Sequence, residues 1–514
     1  MNRRLFLKSL LGHTALLHPI FQTNPVLAAP KNYNKPNVLL IFSDDQRFNT
    51  IHALGNDIIS TPNLDSLVRQ GTSFTRAYMM GSMSGATCIP SRAMLLSGRS
   101  LFRLDGHGRN IPPQHITIPE ALHDNGYYTY WVGKSHQSQS SMGRMFDGGE
   151  RCYGFHGPYR DYNHYLMGTH DFDPSGKFDG PLYIYKKGPR GQEVKTLLAR
   201  ENFREMKATP NKEKEFFHTS EVFTTGAVNF LKSYDRKKPF FLYLAYHAPH
   251  DPRNAPKRFH DMYPPEKIPL PKSFMPAHAF DQGSLKIRDE KLAGFPRKPE
   301  EIKKHLSDYY AIISHMDEQI GIVLKALKEN GLDENTLIVF SGDSGLALGN
   351  HGLMGKQNLY DAGGIHVPLI FKGPKIPTGQ KRDALCYLFD VMPTICDLTD
   401  NPTPPTSDGK SLVNVIRDNK NKPYTYQYFA YTDTQRAVQD ERFKLIEYAH
   451  KGKRFTQLFD LNTDPHELRN LIDNPQYSQH KDRLKAKLKH LKQKYRDKTT
   501  LSMNSIRKEA QRRS

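Results

Sequence analysis

Two features are scarce in this 514-residue sequence, long apolar runs and cysteines. Nothing in the chain supplies about 18 uninterrupted apolar residues, so the sequence predicts no transmembrane segment. There are four cysteines, and Cys386 and Cys396 lie ten residues apart. That separation is roughly 15 Å along a helix, whereas a disulfide needs Cα atoms within about 7 Å of each other. The spacing therefore argues against a disulfide framework.

Acidic residues are fewer than basic ones, and the formal net charge is +20. Such an excess can indicate a nucleic-acid partner. Here 13 Lys/Arg against 3 Asp/Glu lie between residues 480 and 514, so half of the excess belongs to one tail. Leu484, Leu488 and Leu491 recur in that tail at helical spacing, which predicts a basic helical tail over 479–514 with its lysines in water. We expect no nucleic-acid partner, although weak attraction to acidic polymers remains the alternative.

The N-terminal segment is typical of an exported protein. Arg3 and Arg4 precede a short apolar stretch, and Val26-Leu27-Ala28 offers a small-residue cleavage site. This pattern resembles a bacterial twin-arginine export signal over residues 1–28. It predicts a periplasmic or secreted protein; the alternative is a basic N-terminus of a cytoplasmic protein.

Four apolar runs end in charged or imidazole side chains. The runs are 37–42, 129–132, 240–245 and 336–340, and each has the composition of a buried strand. Helical patterns lie between them, which predicts an α/β fold with a large mixed, mainly parallel sheet covered by helices on both faces. Such sheets gather their sites beyond the carboxyl ends of the strands. We therefore expect the polar clusters to meet in one crevice.

One further segment, Gly85 to Arg99, points to chemistry more directly. Pro90 suits the first helical position and Gly98 the end of the helix, so Cys88 is predicted to lie at the mouth of a short helix. The positive end of a helix and Arg92 then surround the sulfur with groups that attract anions.

The sequence Cys88-Ile89-Pro90-Ser91-Arg92 resembles the C-x-P-S-R signature of type I sulfatases, members of the alkaline-phosphatase-like superfamily. The resemblance extends over about residues 35 to 475, and as a set its motifs are highly specific. Further motifs that resemble the family are the strand at Pro36-Asn37-Val38 with Asp44-Asp45, then Thr61 to Asp65, Gly133-Lys134-Ser135-His136, His247 to His250, Gly349 to Lys356 and Leu458 to Pro465.

The resemblance implies a chemistry for these positions. A formylglycine-generating or anaerobic sulfatase-maturating enzyme would convert Cys88 to formylglycine (3-oxoalanine), whose hydrate attacks the sulfur of a sulfate ester. One Ca²⁺ per chain would be held by oxygen ligands; the implied metal-ligating residues are Asp44, Asp45, Cys88, Asp343 and Ser344. The family usually has Asn at the last position, so ligation by the Ser344 hydroxyl, directly or through water, stays open.

The same resemblance assigns the remaining catalytic roles. Arg92 would hold the hydrated nucleophile, while Lys134 and Lys356 bind sulfate oxygens. His250 would protonate the leaving alcohol and His136 would remove the proton that expels sulfate. His247 would either contact the substrate or serve the structure.

Two long irregular stretches are candidates for substrate selection. Residues 137–191 are rich in Gly, Tyr, His and Asp. A set of side chains in this stretch, Arg160 among them, could stack on sugar rings and hold further sulfates. The other members of this set are Tyr153, His156, Tyr159, Tyr162, His164 and Tyr165. The alternative is that the tyrosines pack the loop onto the body. A Pro-rich stretch over 252–299, with Arg253, Lys257 and Arg258, is expected to form the rim. Together these stretches predict a sulfated carbohydrate substrate.

The predicted organisation is an export signal (1–28), a sulfatase catalytic domain (35–400), a linker (401–423), a smaller C-terminal α+β antiparallel-sheet subdomain (424–478) and the basic tail (479–514). Two other functions stay open. One is a phosphodiesterase or phosphonate hydrolase of the same superfamily, and the other is a non-catalytic polyanion-binding protein that uses the basic tail.

Overall fold

The computed structural model describes residues 35–154 and 163–501, without the side chains of 200–202. The predicted export signal and Arg160 therefore lie outside the described residues. The strands are β1 (Asn37–Ser43), β2 (Thr72–Phe74), β3 (Ala77–Tyr78), β4 (Gly81–Ser82), β5 (Tyr128–Lys134), β6 (Gly148–Tyr153), β7 (Tyr183–Lys187), β8 (Glu193–Leu197), β9 (Phe240–Ala245), β10 (Thr336–Gly342), β11 (Leu369–Lys372), β12 (Gln380–Arg382), β13 (Cys386–Tyr387), β14 (Gln427–Tyr431), β15 (Gln435–Gln439), β16 (Phe443–His450) and β17 (Lys453–Asp460).

The α-helices lie between and after these strands. They are α1 (Pro62–Gln70), α2 (Cys88–Ser97), α3 (Ile118–His123), α4 (Gln139–Met145), α5 (Arg200–Ala208), α6 (Lys212–Glu215), α7 (Thr219–Ser233), α8 (Lys257–His260), α9 (Pro299–Glu329), α10 (Val391–Leu398), α11 (Val413–Arg417) and α12 (Ser478–Lys494).

Eight strands form the large sheet in the order β12-β2-β11-β10-β1-β9-β5-β6. Strands β10, β1, β9, β5 and β6 run parallel, and β11 is antiparallel to both of its neighbours. Every residue of β1, β9 and β10 is buried. Alternate residues of β1 enter two separate hydrophobic cores, one on each face. The predicted mixed, mainly parallel sheet with both faces covered is thus confirmed.

A second, five-stranded sheet has the order β17-β16-β15-β14-β4. Its strands β14 to β17 form an antiparallel meander, as the predicted C-terminal antiparallel sheet requires. The fifth strand, β4, comes from the segment just before Cys88 and pairs parallel with β14. The C-terminal sheet is therefore tied directly to the segment that leads into α2.

Helix α12 covers one face of the C-terminal sheet. Leu484, Leu488 and Leu491 are buried in the same hydrophobic core as Phe443 and Tyr428. Beyond the helix, Asp497 accepts a 2.6 Å hydrogen bond from Arg436 of β15, and both side chains are buried. The basic helix therefore packs on the C-terminal sheet and contributes to its hydrophobic core.

Two further findings concern the scarce features of the sequence. All four cysteines are buried and free. Within the described part of the chain, no helix combines the length and the apolar character needed to cross a bilayer.

We predict that Leu484→Ala lowers the free energy of unfolding by about 2–5 kcal/mol, because the substitution leaves a cavity under α12. The matched control Lys485→Ala changes an exposed residue of the same helix and should alter it by no more than about 0.5 kcal/mol. Chemical unfolding followed by circular dichroism and by fluorescence of the single tryptophan, Trp131, measures both. Equal stability of the two variants would contradict packing of α12 on the sheet.

Candidate active site

Parallel pairing places the acidic residues next to one another. Ser43 of β1 is in register with Gly342 of β10, so the chain leaves both strands at the same edge of the sheet. Asp44 and Asp45 follow β1, and Asp343 follows β10. The Asp343 amide donates to the Ser43 carbonyl at 3.0 Å, and the Asp45 amide donates to Oδ1 of Asp343 at 2.9 Å. All three carboxylates are fully buried.

Helix α2 brings Cys88 to this cluster. The helix is buried along its whole length, and it ends at Gly98 in the left-handed region (φ 63°). The Ser91 hydroxyl donates to the Asp343 carbonyl at 2.6 Å, which docks the first turn. The sulfur of Cys88 and one carboxylate oxygen each of Asp44 and Asp343 lie within 4.8 Å of one another.

Burial raises the pKa of the Cys88 thiol to about 12, even though Lys356 is near. Reactive cysteines have lowered pKa values, because the thiolate is the nucleophile. The unmodified side chain at position 88 is therefore a neutral thiol at physiological pH. Its sulfur lies 3.1 Å from Nδ1 of His136.

Arg92, one turn further along α2, has a fully buried guanidinium. Its Nε donates to Oδ2 of Asp343 at 3.0 Å, and Nη1 donates to the Tyr243 hydroxyl at 3.2 Å. The Nη2 atom lies 3.8 Å from Oδ2 of Asp44. Although burial alone would lower it, Tyr243 and Asp343 raise the pKa of Arg92 above its ordinary value. The guanidinium is therefore a permanent positive charge beneath Cys88.

Two buried lysines pair with the other carboxylates. Lys134 contacts Oδ2 of Asp44, and Lys356 donates to Oδ1 of Asp45 at 2.5 Å. Burial lowers the pKa of Lys134 to about 7, whereas Asp45 and its neighbours raise the pKa of Lys356 against the effect of burial. Burial raises the pKa of Asp45 itself to about 6.

A bulge directs the segment that carries Lys134 and His136. The register between β5 and β6 shifts between Val132 and Gly133. Gly133 has a φ of 94°, and a Cβ there would lie 2.1 Å from the Ala245 carbonyl oxygen. Only glycine fits this close approach. The bulge therefore explains why this motif begins with glycine.

His247 and His250 follow β9 and lie over the carboxylates. Nδ1 of His247 is 3.3 Å from Oδ2 of Asp44, and Nε2 of His250 is 3.8 Å from Oδ2 of Asp45. Their rings stack with centroids 4.8 Å apart. Burial, together with the nearby lysines, lowers the pKa of both imidazoles well below the ordinary value.

The donor set fits a hard cation. Oδ1 of Asp44 and Oδ2 of Asp45 are buried and accept no hydrogen bond from any described residue, although buried carboxylate oxygens normally have partners. The hydroxyl of Ser344 lies 3.0 Å from Oδ1 of Asp45 and 3.4 Å from Oδ1 of Asp343. The chain thus offers several oxygen ligands from one small volume, the arrangement that Ca²⁺ prefers.

A cavity of about 640 Å³ opens onto these groups. Of the predicted site residues, the structure brings together all except Arg160, which lies outside the described part of the chain. These are Asp44, Asp45, Cys88, Arg92, Lys134, His136, His247, His250, Asp343, Ser344 and Lys356.

The predicted substrate loops are located only in part. Tyr153 lines the cavity, but His164 and Tyr165 are buried, as the packing alternative expects. His164 lies 3.2 Å from the His250 carbonyl and stacks against His218 with centroids 4.6 Å apart.

The Pro-rich stretch reaches the cavity through residues that the sequence did not single out. These are Ile287, Arg288 and Asp289, whereas Arg258 pairs with Glu318 on the surface. His107 and Arg109 also line the cavity and were not predicted. In the sequence these two residues do not follow a predicted strand, so the strand patterns could not mark them as site residues.

We predict that Arg92→Met lowers the free energy of unfolding by about 3–5 kcal/mol, because it leaves the buried Asp343 without its guanidinium partner. Tyr243→Phe removes only one hydrogen bond to the same guanidinium and should cost about 0.5–1.5 kcal/mol. Denaturant unfolding in the presence of a chelator compares the two. A smaller loss for Arg92→Met than for Tyr243→Phe would contradict the assigned charge balance.

Comparison with known proteins agrees with this geometry. Residues 36–401 match the sulfatase family, and residues 349–494 match the C-terminal region of N-sulphoglucosamine sulphohydrolase. A sulfatase of Formosa agariphila is 29% identical over 485 residues, which covers 89% of this chain and 87% of the relative.

Solved structures show the same fold. A protein bound to its substrate, D-glucosamine-2-N,6-O-disulfate, superposes with a TM-score of 0.70 at 21% identity and covers 91% of this chain and 99% of its own. The phosphonate monoester hydrolase of Agrobacterium radiobacter gives a TM-score of 0.67 at 20% identity, with 90% and 96% covered. The predicted sulfatase-like architecture is thus confirmed. Because the family match spans most of the chain, this protein belongs to the sulfatase family and is a sulfuric ester hydrolase.

Proposed function

We propose that this protein is an exported, calcium-dependent sulfatase that hydrolyses sulfate esters of a carbohydrate, with formylglycine made from Cys88 as its nucleophile. The observation that carries the proposal is the position of Cys88. Its sulfur lies within 4.8 Å of carboxylate oxygens of Asp44 and Asp343, and Cys88 lines a cavity together with Lys134, Lys356 and four histidines, His107, His136, His247 and His250. A buried thiol with a raised pKa is a poor nucleophile, so the unmodified cysteine does not account for hydrolysis at this position.

Two groups would complete the site. Calcium, held by Asp44, Asp45, Asp343, Ser344 and the side chain at position 88, would polarise the sulfate and orient the nucleophile. Formylglycine, produced by a separate maturating enzyme, would supply a hydrated aldehyde whose hydroxyl attacks sulfur.

Positively charged side chains of the protein would bind the sulfate ester and the nucleophile. Lys134 and Lys356 line the cavity, where they contact Asp44 and Asp45 respectively. Burial lowers the pKa of Lys134 to about 7, and a bound sulfate ester would favour its ammonium form. In a dry site such charges neutralise ester oxygens far more strongly than they would in water. Arg92 is fixed beneath residue 88 by Asp343 and Tyr243, where it would hold the nucleophile in place.

Two histidines would carry the protons of the reaction. His250 is oriented by its Nδ1, which lies 2.7 Å from the Asp251 carbonyl, so Nε2 faces the cavity. Burial lowers the pKa of this imidazole, and the charge of the anionic substrate would favour the imidazolium form that protonates the leaving oxygen. His136 lies 3.1 Å from the Cys88 sulfur and would accept a proton from the side chain at this position. One acid and one base serve the two halves of ester hydrolysis.

A carbohydrate substrate is supported by the size of the cavity and by the fold neighbour that binds a glucosamine disulfate. The export proposal rests on the twin arginines and small-residue site of residues 1–28. Phosphonate ester hydrolysis is the second candidate, because a phosphonate monoester hydrolase shares the fold and the same cations would neutralise either anion.

We predict release of sulfate from 4-nitrophenyl sulfate and from sulfated sugars by the matured protein. The Cys88→Ala variant should keep the fold and lose at least about 1,000-fold of the activity, since it removes the nucleophile. Parallel assays with 4-nitrophenyl phosphate and a phenylphosphonate monoester separate the candidates. A strong preference for either phosphorus ester would favour the second candidate over the first.

We also predict that Ca²⁺ stabilises the protein, by about 2.7 kcal/mol at a free concentration 100 times the dissociation constant. Asp343→Asn should abolish this response in thermal unfolding. Asp171→Asn, which changes an exposed carboxylate outside the cavity, should retain it. An equal response in both variants would contradict the proposed ligand set.

A further inference from the structure

The mouth of the active-site cavity carries a cation without a partner. Arg109 is exposed and lines the cavity together with Cys88, Lys134 and His136. Within residues 35–154 and 163–501, no carboxylate pairs with its guanidinium. His107, two residues earlier, is also exposed and lines the same cavity.

Two carboxylates near the rim, Asp251 and Asp289, pair with a different arginine. Arg288 on the same rim is held by Asp251 at 2.9 Å and by Asp289 at 2.7 Å. Asp105, in the loop of Arg109, is exposed and lies 3.8 Å from His115, and no ion pair joins it to Arg109 among the described residues. The charge of Arg288 is therefore largely balanced, whereas that of Arg109 is available to a ligand.

The loop that carries Arg109 is fixed to the catalytic segments. Gly106, His107 and Gly108 have φ values of 50°, 56° and 86°. A Cβ on Gly108 would lie 2.7 Å from the Cβ of Ala93 and 3.1 Å from the Cα of Pro90, so the loop lies directly on the first turns of α2.

Polar contacts fix the same loop from its other side. The buried Gln137 amide donates to the carbonyls of Ile89 (3.0 Å) and Gly108 (3.4 Å). The Ser138 amide donates to the Arg109 carbonyl at 2.6 Å. The backbone of Arg109 is thus held beside the residues that follow Cys88 and His136.

The cavity is larger than one sulfate ester requires. Its volume of about 640 Å³ lies in the range of pockets that enclose drug-sized ligands, about 300–1,000 Å³. A sugar whose ester oxygens contact Lys134 and Lys356 therefore leaves room for a second substituent or ring that extends toward the mouth.

We propose that Arg109, with His107 beside it, forms a second anion-binding subsite, and that the substrate is a carbohydrate with a further sulfate or carboxylate near the ester that is hydrolysed. This inference rests on the proposed sulfatase function and narrows its substrate class. Guanidinium groups bind oxyanions in bidentate fashion, so Arg109 could bind either a second sulfate or a carboxylate through the same kind of contact.

Calorimetric titration of the Cys88→Ala protein, which cannot turn over its ligand, tests the subsite. The probes are glucosamine 6-O-sulfate, glucosamine 2-N,6-O-disulfate and a disaccharide of uronic acid and glucosamine 6-O-sulfate. We expect tighter binding of at least one two-anion probe than of the one-anion probe. Adding Arg109→Gln should reduce that preference by about 10-fold or more, the effect of losing a charge-assisted hydrogen bond, and should weaken binding of the one-anion probe by at most about threefold.

Two further variants serve as controls. Arg109→Lys keeps the charge and should restore part of the preference, while Arg69→Gln changes an exposed arginine of α1 and should leave it intact. The probe that loses most affinity identifies the second anion as sulfate or carboxylate. Equal losses for all probes, no loss for any, or no measurable binding would overturn the subsite.

Sulfate release from 4-nitrophenyl sulfate by the wild-type protein is measured in parallel. Its absence together with Arg109-dependent binding would contradict the proposed hydrolysis and not the anion subsite. Its presence together with Arg109-independent binding would contradict the subsite alone.

Discussion

Everything in the catalytic crevice depends on the balance of three buried carboxylates against three buried cations. Asp44, Asp45 and Asp343 have no exposed surface, and ionised carboxylates in such a place are very costly unless they are paired. Arg92, Lys134 and Lys356 supply the opposite charge. Each comes from a different element of the fold, so the charge balance exists only when the sheet and α2 are assembled.

The same balance explains how the site can receive both a cation and an anion. Each lysine contacts a carboxylate that belongs to the proposed calcium set. A divalent ion bound to those carboxylates would balance their charge in place of the two lysines. The ammonium groups would then be free to bind sulfate oxygens. Behind this layer, His250, His247, His164 and His218 form a column of rings with centroids 4.6–5.0 Å apart. The column packs the proposed acid, His250, against the interior.

Much of this arrangement follows from short patterns in the sequence. The apolar runs at 37–42, 240–245 and 336–340 define parallel strands, and parallel strands deliver the residues that follow them to one edge. This is why Asp44, His247 and Asp343 could be placed together without a structure. Pro90 and Gly98 likewise predicted a short helix beside Cys88, although α2 begins at Cys88 itself, two residues before the predicted start at Pro90.

Other parts depend on tertiary contacts that no local pattern encodes. Strand β4 has two residues and exists only through its pairing with β14. Arg109 reaches the cavity because Gly108 fits against Pro90 and Ala93, and Arg288 reaches it from a stretch in which other basic residues were equally plausible. In the sequence His164 cannot be distinguished from a histidine that binds a ligand. In the structure it is buried and contacts the His250 carbonyl.

Conversion of Cys88 to formylglycine is the step on which the proposed reaction depends. Mass spectrometry of the tryptic peptide 77–92 from protein with demonstrated sulfatase activity tests it most directly. We predict that this peptide carries formylglycine at position 88. Full activity in a preparation whose peptide contains only an unmodified cysteine would contradict the proposal.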